Sequence, residues 1–255
     1  MTAPRVVGAT TVGPAHTATG EGCQDRFAHR VTGSGAVVVA VADGLGSAAN
    51  AAHGASVAVD AAVAEAAAML EATPPAAFDE AAEAAVVAAR AALEAAGASE
   101  GQSLASLACT LIVAAGDQDG LGVAHVGDGA VVVQHDASGM ALASGPGDSE
   151  YVDQVDPLTS DRWKDHLRTA TVFGAVSGFA VLTDGCQRAA LRSGVANEPH
   201  PQFFLPIFEH VRRVPDEDAS PDLAALLAGA KLSEHSDDDK TLVLALFEPR
   251  PESLG

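Results

Sequence analysis

Apolar positions along the chain alternate between short strand-like runs and two long tracts of helical composition. Residues 5–12 are β-leaning, and residues 26–31 lead through the turn Thr32-Gly33-Ser34-Gly35 into residues 36–42, AVVVAVA. That continuous, Val-rich run has the length and content of a strand buried on both faces. It stops at Asp43-Gly44-Leu45-Gly46. Residues 48–71 and 76–96 are dominated by Ala, Glu, Leu and Arg, strong helix formers, and Pro74-Pro75 divides them. Two helices joined by a Pro turn are predicted.

Residues 107–115 (LACTLIVAA), 121–126 and 130–135 are further apolar runs, separated by residues 116–120 and by Gly127-Asp128-Gly129. They predict antiparallel strands in a meander. Residues 144–166 are polar and turn-rich and read as a mobile loop. Residues 169–176 and 179–182 read as another hairpin, which ends at Thr183-Asp184-Gly185. Residues 201–213 and 221–231 look helical, and the acidic stretch 236–239 leads into a closing strand at 241–247, TLVLALF. Hairpins mixed with helix pairs indicate an α+β fold rather than alternating βαβ units. No repeat and no shift of composition divides the 255 residues. One domain over 1–255 is expected, with its core at about 5–247.

Composition narrows the function classes. With 48% hydrophobic and 19% charged residues the chain is an ordinary globular one, so disorder throughout is excluded. Its three cysteines are too few and too scattered for a disulfide framework, and no CxxC pair suggests zinc. The start, MTAPRVVGATTVG, lacks the pattern of a signal peptide, and no apolar run approaches a membrane span. A cytoplasmic protein without a membrane is expected. Net charge is −20, from 34 acidic and 14 basic residues, which makes nucleic acid a poor partner.

Where the carboxylates fall is more informative than their number. Asp43, Asp128 and Asp184 each follow an apolar run and precede a glycine; Asp25 opens a run, and Asp238-Asp239 precede the last one. An Asp so placed projects from the rim of a sheet, while the Gly allows close backbone approach. Any one Asp-Gly alone is a turn signal. Several rims brought together would crowd like charges unless a cation sits among them. Ligands that are all oxygen suit Mg²⁺ or Mn²⁺ rather than zinc.

In this arrangement the chain resembles the metal-dependent Ser/Thr protein phosphatase family (type 2C, PPM) in its compact bacterial form, from about Val7 to Phe247. Gly22-Cys23-Gln24-Asp25 resembles the early acidic motif and Asp43-Gly44-Leu45-Gly46 the DGxG signature. Ala108-Cys109-Thr110-Leu111 resembles the family's small-residue-Thr strand, and Gly127-Asp128-Gly129 stands where Gly-Asp-Ser is usual. Thr183-Asp184-Gly185 resembles the (S/T)-Asp-Gly motif, and Asp238-Asp239-Lys240-Thr241 stands in place of the final Asp-Asn-x-(S/T).

The resemblance implies a β-sandwich of two antiparallel sheets flanked by helix pairs, a four-layer αββα arrangement with the metals in a cleft at one end. It implies hydrolysis of phosphoserine and phosphothreonine monoesters by water activated between two Mn²⁺ or Mg²⁺ ions. Asp43 should bridge the ions, the Gly44 carbonyl should hold the first, and Asp184 and Asp238 the second. Asp25 should touch a metal or orient its water. Two cations about 3.5–4 Å apart acidify a water and neutralise phosphoryl oxygens, so no nucleophilic side chain is required. The implied partner is a phosphorylated protein, the product of a Ser/Thr kinase, acted on by a monomer.

The chain departs from that pattern in places. No Arg stands shortly before Asp25 to bind phosphate; His16 stands there instead and is the candidate for that catalytic task. Leu45 occupies the position of a general-acid His. Asp128 and Asp184 are placed to share a third ion, but Arg188 stands where a further acid would help. Cys23 and Cys186 adjoin two motifs, either as small buried hydrophobes or as oxidisable thiols. Two alternatives follow: a catalytically degenerate phosphatase-like fold that binds phosphoprotein or metal without turnover, and an acidic interaction protein without a metal site.

Overall fold

The computed structural model describes residues 3–72, 77–135, 139–146, 156–192 and 198–248. In chain order its elements begin with β1 (Arg5–Thr11), α1 (Pro14–Thr19), β2 (Arg26–Val31), β3 (Val37–Ala42), α2 (Ala51–Ala72) and α3 (Phe78–Glu100). Then come β4 (Leu111–Asp117), β5 (Gly120–Val126), β6 (Ala130–His135), β7 (Gly139–Ser144), β8 (Arg168–Phe173) and β9 (Val176–Leu182). The last are α4 (Asp184–Ala190), α5 (Pro201–Arg213), α6 (Asp216–Leu227), α7 (Ala230–Ser233) and β10 (Lys240–Leu246).

Two five-stranded sheets result, ordered β1-β10-β9-β6-β7 and β2-β3-β4-β5-β8, with every strand pairing antiparallel. Their inner faces meet in a core of Val37, Val39, Val41 and Ile112 against Val131, Phe179, Val181 and Val243. The alternate residues of β3, Val38, Ala40 and Ala42, face the other way and pack on Ala55, Ala62 and Leu93 of α2 and α3. On the opposite side Val132, Ala180 and Leu244 pack under Phe204, Phe208 and Leu223 of α5 and α6. This is the expected α+β, αββα arrangement. Because both faces of β3 are covered, AVVVAVA carries no polar position.

Several expected pairings are corrected. Residues 107–115 are not one strand: residues 104–107 form a 3₁₀ turn and β4 begins only at Leu111. The expected meander ends at β5, because β6 crosses to the other sheet and pairs with β7 and β9. Residues 169–176 and 179–182 are not a hairpin either; β8 pairs with β5, and β9 with β10 and β6. The burial patterns explain the split. β8 alternates half-buried and exposed positions, as suits an edge strand, while β9 is buried throughout and needs neighbours on both sides and cover on both faces.

The helix expected at 221–231 starts earlier, at Asp216, and takes Pro221 inside it. Asp216, Glu217 and Asp218 fill its first turn, where negative charge meets the positive end of the helix dipole. Gly229 then separates it from α7. Short α1, β7 and α4 carried too little periodicity to be foreseen. The Pro74-Pro75 turn and the middle of the 144–166 loop lie outside the described residues; its described parts include the end of β7 and a 3₁₀ turn at Trp163–His166. Among the described residues no helix is long and apolar enough to cross a membrane.

The topology matters for function because the ends of β3, β5 and β9 and the starts of β4, β6 and β10 fall at one end of the sandwich. Asp43, Asp128, Asp184 and Asp238 adjoin five of those strand ends, and Thr110 stands before the start of β4.

Candidate metal centre

Asp43 follows β3 directly, and its backbone is pinned on both sides by Thr110. The Thr110 N–H donates to the Asp43 carbonyl at 2.8 Å, and the Thr110 hydroxyl accepts from the Asp43 N–H at 3.0 Å. Gly44 then bridges Cys109, through bonds made by its neighbours, so its own carbonyl stays out of the ladder. The first turn of α2 sits on Gly44: a Cβ there would lie 2.8 Å from the Ala51 carbonyl carbon.

Asp128 lies in the β5–β6 turn. Gly127 before it has φ +104°, and a Cβ would come within 2.5 Å of the Thr110 side chain, so only glycine fits. Buried His125 holds this turn, with Nε2 2.9 Å from the Asp128 carbonyl oxygen and Nδ1 2.8 Å from the Ser144 hydroxyl. Burial and the nearby Arg168 push the His125 pKa down to about 3, so it stays neutral. Arg168 itself donates to the Gly127 carbonyl at 2.5 Å and brings a guanidinium to Asp128. Asp184 is the first residue of α4.

Oxygen atoms of Asp43, Asp128 and Asp184 lie within 4.8 Å of one another. Burial raises the pKa of Asp43 well above the ordinary carboxylate range, and repulsion from Asp25, Asp184 and Asp238 adds to it. Asp184 is pushed up to about 8 by burial and then by Asp128, Asp238 and Asp25. Asp128 is raised as well, chiefly by burial. Five carboxylates thus share one field, and without a cation they resist ionising together.

Asp25 is fully buried. Its Oδ2 accepts from the hydroxyls of Thr183 and Thr241, both at 2.8 Å. Burial holds its pKa up at about 6, against the pull of those two donors. Its Oδ1 has no partner, and neither has Oδ1 of Asp184. Orphaned buried carboxylate oxygens beside a knot of three more acids are the donor set of a hard divalent cation, and the residues present fit that group.

His16 does not join the Asp43 cluster. It lies on α1, and its Nδ1 is 2.9 Å from Oδ2 of Asp239, with Nε2 3.7 Å from Glu21. Buried Asp239 also accepts from the N–H groups of Gly13 at 2.7 Å and Gln24 at 2.6 Å. Burial alone would raise Asp239, but those three donors outweigh it and hold its pKa below the usual value. Asp238 belongs to both groups: it lies within 4.8 Å of His16 and Asp239 and repels Asp43, Asp128 and Asp184.

Sequence reasoning missed Asp239 as the anchor of the first acidic motif, the threonine clamp on Asp25, and Arg168. Thr183 stood next to Asp184, and Thr241 two residues after Asp239, in motifs already named; Arg168 had no local signal. Arg188 is exposed and donates to the His235 carbonyl at 3.4 Å, away from the acids. Burial, followed by nearby carboxylates, pushes the Cys23, Cys109 and Cys186 thiols upward, so they stay protonated rather than becoming reactive thiolates.

A family model described as protein phosphatase 2C matches residues 12–228. The chain is 32% identical over 250 residues to Serine/threonine-protein phosphatase 3 of Escherichia coli (strain K12), across 95% of this chain and 98% of that protein. A solved bacterial serine phosphatase superposes with a TM-score of 0.68 at 13% identity, covering 97% of this chain and 99% of that one. The catalytic domain of serine threonine protein phosphatase PstP, in complex with 2 manganese ions, superposes with a TM-score of 0.62 at 18% identity, covering 95% and 97%.

Proposed function

Because the chain belongs to the protein phosphatase 2C family, we propose that it hydrolyses phosphoserine and phosphothreonine esters on other proteins, using two Mn²⁺ or Mg²⁺ ions. The observation that carries this reading is the convergence of Asp43, Asp128 and Asp184 within 4.8 Å, with a buried oxygen of Asp184 left unpartnered. Asp43 would contact both cations, the Gly44 carbonyl the first, and Asp184 and Asp238 the second. Asp128 and Asp184 frame a place for a third. Bound there, such cations supply positive charge for the phosphoryl oxygens and a water acidic enough to attack phosphorus.

The chain's own residues position and protect this chemistry. Thr110 fixes the backbone of Asp43 from both sides and so sets the point from which its carboxylate projects. Thr183 and Thr241 occupy one oxygen of Asp25 and leave the other unpartnered, where it would serve as a proton acceptor. His16 is the donor to substrate phosphate. Its Nδ1 faces the carboxylate of Asp239 and must carry a proton to bond it, so Nε2 can donate only when the ring is an imidazolium. The partner is then a phosphorylated protein released by a Ser/Thr kinase, met in the cytoplasm by a monomer.

Turnover of p-nitrophenyl phosphate and of a phosphothreonine peptide, with Mn²⁺ and then with EDTA, tests the proposal. Release of phosphate that requires Mn²⁺ is the expected result. Calorimetric Mn²⁺ binding without turnover would favour the degenerate reading, and absence of binding would remove the metal centre.

A further inference from the structure

We propose that a cavity at the end of the β2–β8 sheet remote from the carboxylates docks a protein segment carrying Arg or Lys beside an aromatic or leucine side chain. The cavity measures about 610 Å³, and its apolar part includes Leu70 of α2, Leu121 of β5 and Phe173 at the end of β8. A volume of this order falls within the range of specific ligand sites, with room for an arginine and one apolar neighbour.

Phe173 is the anomaly that marks the site. It is 83% exposed, whereas no other large apolar side chain among the described residues exceeds 49%. It ends an edge strand, pairs with Gly120 and is followed by Gly174 at φ +109°, so no side chain of the neighbouring strand shields it. An uncovered ring on a sheet edge presents both an apolar surface and a π face that attracts cations.

The rim supplies the complementary charge. Asp79, Asp117 and Asp119 line the same cavity, and among the described residues no Lys, Arg or His does. The first two are held in place: Asp79 Oδ2 accepts from the Thr171 hydroxyl at 3.1 Å, and Asp117 Oδ1 accepts from the Asp119 N–H at 2.7 Å. A carboxylate has about four acceptor positions, so both retain capacity for a guanidinium. Among the described residues no cation lines the cavity beside Asp79 and Asp117, so their counter-charge would come with the occupant. A segment with Arg beside Phe or Leu would set the apolar side chain in the cavity and the guanidinium between Phe173 and the acids.

This site is separate from the metal centre. Ala36 lines the cavity and Asp43 lies beyond the far end of β3, so the length of that strand, ~20 Å, stands between them. Occupation of one leaves the other open.

Fluorescence anisotropy of a fluorescein-labelled Leu-Arg-Phe-Arg-Leu peptide, titrated with the whole protein at physiological salt, tests the proposal. Saturable binding is expected. It should weaken at least fivefold in Phe173→Ser, in an Asp79→Asn/Asp117→Asn double variant, and when citrulline replaces both arginines. It should be unchanged in Asp60→Asn/Glu65→Gln, which removes two exposed acids from α2. Hydrolysis of p-nitrophenyl phosphate by each variant checks that it is folded and should stay at the wild-type rate. No saturable binding overturns the proposal. Binding unaffected by Phe173→Ser, or reduced equally by the α2 pair, shows only diffuse attraction to an acidic protein and overturns it too. Phe173 is exposed, so its replacement tests the site even if the double Asp variant fails to fold.

Discussion

The Thr241 hydroxyl donates to Oδ2 of Asp25 at 2.8 Å, joining residues 216 positions apart in sequence. Since that hydroxyl has one proton, its second contact, 2.8 Å to the Thr10 hydroxyl, must have Thr10 as the donor. Thr183 closes the arrangement: its hydroxyl donates to the same Asp25 oxygen and accepts from the Thr241 N–H at 3.0 Å. The last strand, the start of α4 and the first acidic motif are thereby locked to one buried carboxylate.

Thr241→Val keeps the shape of the side chain and removes a donor from Asp25 and an acceptor from Thr10. The expected stability loss is ~1–3 kcal/mol, the usual cost of buried polar groups left without a partner. Turnover at saturating Mn²⁺ should fall about tenfold as Asp25 loses its orientation, equivalent to ~1.4 kcal/mol of barrier. Urea denaturation and steady-state kinetics measure the two effects. Activity within twofold of wild type would show that the clamp is not needed.

Asp43→Asn should abolish activity while the fold persists. The amide fits the same space, and Thr110 still holds the backbone. Retention of more than about a tenth of wild-type turnover, a barrier change under ~1.4 kcal/mol, would remove Asp43 from the centre of the chemistry.

The acid cluster should make the metal-free protein sensitive to pH. The carboxyl of Asp184 titrates near 8 when folded, against 3.8 for the ordinary group, so the native state holds the extra proton between those values. Where the native state binds more protons, stability falls as pH rises. The contribution is therefore greatest below about pH 4 and is lost progressively toward pH 8. His125 has the opposite sign: neutral when folded, with its pKa lowered to about 3, it favours the native state less as pH falls below 6.5. Comparing variants cancels that second effect. Asp184→Asn should raise the apo Tm relative to wild type by an amount that grows from pH 5 to pH 8. Mn²⁺ should raise the wild-type Tm by mass action, and EDTA should reverse it. Thermal melts of both proteins at several pH values check this; a constant difference would mean that Asp184 ionises freely.

His16→Ala should raise KM for a phosphopeptide by about 3- to 30-fold, matching ~0.7–2 kcal/mol for one lost hydrogen bond. Mn²⁺ affinity should change little, because His16 bonds Asp239 and is not proposed as a ligand. Kinetics with a parallel Mn²⁺ titration decides it: an unchanged KM excludes His16 from substrate binding, and weakened metal binding makes it a ligand.

The sequence by itself determined the local elements and the acids. AVVVAVA read as a strand covered on both faces, the Ala-rich tracts read as helices, and Asp43, Asp128 and Asp184 each stood at the end of an apolar run. Those features depend on periodicity and composition within a dozen residues, which is the range over which a sequence can be read directly. Tertiary structure decided which strands pair. β8 and β9 are separated by two residues yet lie in different sheets, because only one of them is apolar enough to be central. It also decided the partners of the acids. That Asp25 meets Thr241, that Asp239 holds His16, and that Arg168 reaches the Asp128 turn are contacts between distant segments. Such contacts follow from the closure of the two sheets, where no neighbouring residue carries a signal of them.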